Sequence, residues 1–141
     1  MSNIESFNRC AALIFAELYR SFPFRKGISL DSLPEGIFDD ISEEDRKGAF
    51  DRLMVLNETG KWLVDAGYIW AEKVVEHTIH GAILSPKGLE VLKSMPTSIS
   101  TEQTLGERMG ELVKKGSYSL LSKVVDKALS IGVAIATGTA T

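Results

Sequence analysis

Trp62-Leu63-Val64-Asp65-Ala66-Gly67-Tyr68-Ile69-Trp70-Ala71-Glu72-Lys73-Val74-Val75 carries the chain from one kind of regular structure into another. Gly67 marks a helix stop, because glycine takes the left-handed conformation that closes helix C-termini. Residues 68 to 75 are rich in aromatic and β-branched side chains, which suit a pleated strand. A polar tip at Glu76, His77 and Thr78 separates them from a second run, Ile79-His80-Gly81-Ala82-Ile83-Leu84, and the two runs read as a β-hairpin. Ser85-Pro86 then supplies an N-cap and a proline at the first helical position. The helix so started runs through Leu89 and Leu92 until Pro96 stops it.

Upstream, the helix that ends at Gly67 starts near Ser42 and turns Ala49, Leu53, Leu56, Gly60 and Leu63 to one side. Ser42 with Asp45 resembles a capping box. Asn57 and Gly60 are weak points, the glycine by roughly 1 kcal/mol relative to alanine. Further back, residues 4 to 22 read as the first helix. Ile4, Phe7, Ala11, Ile14 and Leu18 form its stripe, Phe15 and Phe22 widen it, Ser2 or Asn3 caps it, and Pro23 closes it. Gly27-Ile28-Ser29-Leu30 suits a brief strand, and Pro34 limits Asp31 through Gly36 to one helical turn.

Downstream, Pro96 to Thr101 is a polar connector that divides residues 1–96 from a C-terminal helical segment, 97–141. Leu105, Met109 and Leu112 mark one helix of that segment, and Leu121, Val125, Ala128 and Gly132 mark a second, with Gly116 between them. Gly106 and Gly110, and Gly132 and Ala136, sit four apart and allow close helix contact, with the domain or with a second copy. The 14 uncharged residues after Lys127 are too few for a membrane span, which needs about 20 apolar residues.

Helix, short strand, short helix, long helix, hairpin is the winged helix-turn-helix order. Leu63-Val64-Asp65-Ala66-Gly67-Tyr68-Ile69 resembles the end of a recognition helix entering the wing. Leu84-Ser85-Pro86-Lys87-Gly88-Leu89-Glu90-Val91-Leu92 is similar to the phrase that follows the wing in many bacterial winged-helix proteins. The resemblance covers residues 4 to 96. It implies a mainly α fold, a winged helix-turn-helix with a small hairpin wing and a C-terminal helical extension. It also implies a DNA-binding transcriptional regulator of bacterial or phage origin, dimerised by its added helices.

Composition narrows the function. Hydrophobic residues make up 44% of the 141 residues, enough for a real core. The net charge of -3 lacks the cationic excess of a DNA-coating protein. One cysteine, Cys10, permits no disulfide within the chain, and its apolar helical setting suggests a buried, inert thiol. The first residues lack a basic n-region, so a cytoplasmic protein is expected. Catalysis is not expected. His77 and His80 are the only histidines, and no nucleophile, base and acid converge. His77-x-x-His80 lacks further ligands for a metal. Gly106-Glu107-Arg108-Met109-Gly110 lacks the Lys-Ser/Thr ending of a phosphate loop. Neither metal nor cofactor is expected.

Two partner classes remain. For DNA, the candidate contacts are Arg46, Lys47, Arg52, Lys61, Lys73 and His77, with Lys87 able to extend a phosphate-binding edge. Against them stands an acidic run from Asp31 to Asp45 that contains no Lys or Arg. Within it Asp39, Asp40, Glu43, Glu44 and Asp45 either favour the positive end of the long helix or form a contact surface for a basic protein. Trp70 belongs to that protein-binding alternative, an adaptor, inhibitor or immunity-type factor. Trp62 and Trp70 read either as core between helix and hairpin or as exposed anchors.

Overall fold

A helix is buried on one stripe when one layer covers it and all round when it is surrounded. Helix α1 (Asn3–Ser21) is of the second kind: Asn8 through Phe15 and Leu18 are buried on every side. This is a computed structural model that describes residues 3–34, 36–38, 49–95 and 102–138, without the side chains of residues 30 and 49–53. Asp39, Asp40, Glu43, Glu44, Asp45, Arg46, Lys47, the cap expected at Ser42 and the connector 96–101 lie outside the described residues.

After α1 come strand β1 (Lys26–Ser29), a 3-10 turn (Leu30–Ser32), helix α2 (Ala49–Asp65), strands β2 (Ile69–Trp70), β3 (Lys73–Val75) and β4 (Thr78–Leu84), and helices α3 (Pro86–Lys93), α4 (Leu105–Lys115) and α5 (Tyr118–Ala136). The fold is mainly helical with a small antiparallel sheet. In that sheet β4 is central, with β1 on one side and β2 and β3 on the other. The hairpin tip is tighter than expected. Glu76 and His77 alone make the turn at φ 52° and 60°, and Thr78 already belongs to β4. Two successive positive φ values give a turn whose twist matches that of the strands. Gly81 (φ 60°) bulges β4, so Ile79 and Ala82 both face the core despite their odd spacing.

Gly60 does not break α2. A methyl there would stand 2.7 Å from Ile79 Cδ1, so the glycine is where helix and sheet come closest. Asn57 also lies within α2 and is buried. Ser85 caps α3 as expected, accepting from Gly88 N at 3.0 Å, and its hydroxyl donates to the Gly67 carbonyl at 2.5 Å.

Helices α4 and α5 cover the side of α1 turned away from the sheet. Leu105, Met109, Leu112, Leu121, Val125 and Ala128 join one hydrophobic cluster with Cys10, Phe15, Leu56, Ile79 and Leu92. The small residues explain how close they come. Gly106 accommodates the Tyr19 ring and Gly132 the Tyr68 hydroxyl, whereas Gly110 faces open space and Ala136 is exposed. Helix α4 starts with a Thr104–Glu107 capping box, whose hydrogen bonds from the Thr104 backbone and hydroxyl hold the Glu107 carboxyl below its usual range.

Glu17 ties α1 to β1, accepting from Lys26 Nζ at 2.5 Å and from Arg20 at 2.8 Å. Burial pushes its carboxyl up, but Lys26 and Arg20 together outweigh that and hold it below the ordinary carboxylate value. A carboxyl depressed in the folded state contributes stability above its unfolded pKa, and the contribution is lost as pH falls through the folded pKa. Urea unfolding of Glu17→Gln should therefore show a loss of under about 1 kcal/mol at neutral pH. The gap to the parent should close as pH drops below about 4. A pH-independent gap would mean that the ion pairs are not its source.

Candidate functional site

Successive residues of a strand point to opposite faces, so the pairing register sorts the hairpin. Ile69 opposite Leu84, and Val74 opposite Ile79, face the core. Trp70 opposite Ile83, Lys73 opposite His80, and Val75 opposite Thr78 therefore form the outer face. There Trp70 keeps 52% and Val75 43% of their surface exposed, while Ile83 and His80 are half-buried. The core position that sequence allowed for Trp70 is not the one it takes.

The DNA candidates are not gathered on one surface by the described residues. Lys61 is exposed on α2, which packs on the inner face of the sheet, and its Nζ lies 3.5 Å from Glu58 Oε1. Lys73 is on the outer face, and His77 is at the tip beside Glu76. Arg52 lies on α2, and its side chain is outside the described set. Lys87 does not extend a phosphate-binding edge. Its Nζ donates to the Ala66 carbonyl at 2.5 Å and stands 4.2 Å from the centre of the Tyr68 ring, serving the C-terminus of α2.

A second feature, which sequence did not announce, is an open groove of about 740 Å³ where the start of α1, the length of α2 and the middle of α5 meet. Its apolar surface comes from Ile4, Phe7, Val55, Trp62 and Leu129, and its acidic groups are Glu58, Asp65 and Asp126. Phe7 and Trp62 meet edge to face at 5.2 Å, and Trp62 stacks on Tyr68 at 6.2 Å. Trp62 is thus partly packed yet 45% exposed, and Ile4, read as part of the core stripe, is 59% exposed at the groove mouth. The sequence placed Ile4 and Phe7 in the core stripe of the first helix, and of the groove residues it weighed Trp62 alone as an exposed anchor. Phe7, Trp62 and Leu129 are far apart in the chain, and only packing joins them.

Tyr68 connects the hairpin to the C-terminal helices. It is buried, its hydroxyl donates to the Leu129 carbonyl at 3.2 Å, and its ring meets Phe15 edge to face at 5.9 Å. Burial pushes its phenol up. Cys10 is fully buried; desolvation, only partly offset by a hydrogen bond with Thr59, pushes its thiol up to about 12. Among the described residues no group of three or more His, Cys, Asp or Glu side chains is placed to hold a metal ion. No helix of the described residues is long and apolar enough to cross a membrane. Comparisons of the chain with family models, with characterised proteins and with solved structures return no match.

Proposed function

We propose that the chain is a non-enzymatic winged-helix binding module whose ligand is a protein, held by the outer face of the hairpin. The observation that carries this reading is Trp70, a large aromatic side chain 52% exposed at the end of the short strand β2, paired with β4, with Ile83 and Val75 on the same face. Half-exposed aromatic residues on rigid elements are the side chains that dominate protein interfaces once a partner covers them. The winged-helix part of the reading is supported by the order of elements, from α1 and β1 through α2 into the hairpin.

DNA is the second reading, a transcriptional regulator, favoured by the same element order and by the exposed Lys73 beside the tip. Phosphate binding needs cations gathered along one edge. Lys61 is partnered by Glu58 and separated from Lys73 by the sheet. Such an edge would rest on Arg46, Lys47 and Arg52. A homodimer through the C-terminal helices would have Leu120 and Val133 to dock on, the large exposed apolar residues of α4 and α5 among those described.

Both readings are tested together. A photo-crosslinking amino acid at Val75 should capture a discrete protein in the source cells, and Trp70→Ala should abolish the adduct without moving the melting temperature. Random duplex DNA should not bind at about 50 mM salt. Micromolar DNA binding that collapses by about 200 mM salt, and that Arg46→Ala with Arg52→Ala weakens about ten-fold, would replace the protein reading with the DNA one.

A further inference from the structure

We infer that the groove between α1, α2 and α5 is a binding site for a small, apolar organic cation. Its size is the first argument. About 740 Å³ bordered by three helices falls within the roughly 300–1,000 Å³ of sites for drug-sized molecules.

Surface chemistry is the second. Phe7 and Trp62 present aromatic surface to the groove, beside Val55 and Leu129. The same aromatic stack already takes a cation elsewhere: Trp62 lies on Tyr68, and Tyr68 holds the Lys87 ammonium 4.2 Å from its ring centre. An aromatic face attracts a cation through its quadrupole, and the attraction grows when water is excluded.

Charge decides the sign of the ligand. Among the described residues the cation on the groove is Lys61, and Glu58 partners it at 3.5 Å. Asp65 and Asp126 remain, and neither has a cationic partner among the described residues. Asn8 is 97% buried and fixes Asp126, donating from Nδ2 to Oδ1 at 3.1 Å. A cation over Trp62 gains from both carboxylates, and an anion of the same shape is repelled by both.

Tetraphenylphosphonium and tetraphenylborate are close in shape and opposite in charge, so isothermal titration with the two isolates the electrostatic choice. The phosphonium should bind one to one and at least about ten-fold more tightly than the borate. Asp65→Asn with Asp126→Asn should weaken it about ten-fold while leaving the borate unaffected or improved. Both carboxylates are exposed, so an unchanged melting temperature certifies that the variant is folded. Trp62→Ala should remove most of the remaining affinity. Equal affinity for the two ions, a phosphonium affinity indifferent to the double variant, or no binding at millimolar concentration would overturn the site. Phosphonium binding that vanishes as sedimentation shows the chain pairing with itself would also overturn it, and would give the groove to a second copy.

Discussion

Gly88→Ala is expected to lower the stability of the chain by about 3–5 kcal/mol, or to prevent it from folding. A Cβ on Gly88 would stand 2.0 Å from the Tyr68 carbonyl oxygen, which is backbone and cannot rotate away. That carbonyl is fixed from several directions. It accepts from Ser85 N at 3.1 Å, while Tyr68 N donates to the Leu63 carbonyl at 2.9 Å. Relief would require α3 to move off the junction of α2 and β2, opening the Ser85 cap and the Ser85–Gly67 hydrogen bond with it. Gly110→Ala is the matched control. It adds the same methyl to a helix where nothing lies within 4 Å, and should stabilise by about 0.5–1 kcal/mol. Urea unfolding followed by circular dichroism measures both. A Gly88→Ala protein within about 1 kcal/mol of the parent would show that α3 and the turn at Gly67 are not held as closely as described.

Arg9→Ala carries the other large effect, about 3–5 kcal/mol by the same measurement. Arg9 keeps 2% of its surface exposed in the middle of α1, donates to the Ile37 carbonyl at 2.9 Å and has Glu5 at 3.9 Å. Removing the guanidinium leaves that carbonyl without this donor, takes a buried positive charge from beside Glu5, and opens a space that the surroundings fill only in part. Ile37 and Phe38 make a small cluster with Leu33, Val55 and Tyr118, and the Arg9 bond pins it to α1. Arg9→Met restores part of the volume and none of the hydrogen bonds, so it should recover only part of the loss. Full recovery would reduce the role of Arg9 to packing.

The hairpin and the start of α3 were legible because their signals are local: aromatic and β-branched runs, a polar tip, and Ser85-Pro86 at a helix start. The burial of α1 was not. Asn8 is polar at the edge of the apolar stripe and Arg9 lies across the helix from it, so periodicity cannot announce that both are buried. The Thr104–Glu107 capping box is a local signal of the same kind, Thr-x-x-Glu at the head of α4. Lys61 and Lys73 were legible as surface positions and Trp70 only as core or anchor, because which residues share a face depends on strand register and on where α2 packs. The groove needed α1, α2 and α5 in place before it existed at all.

The single thiol makes this chain its own stopwatch. Only a thiolate attacks an alkylating reagent, and folded Cys10 combines complete burial with a pKa pushed up to about 12. Since no second cysteine competes, each covalent label records one chain that opened as far as its central helix. With reagent in excess the labelling rate reads the opening rate, and with dilute reagent it reads the population of open chains. Every substitution discussed above is thereby ranked under native conditions, without denaturant and without an added probe.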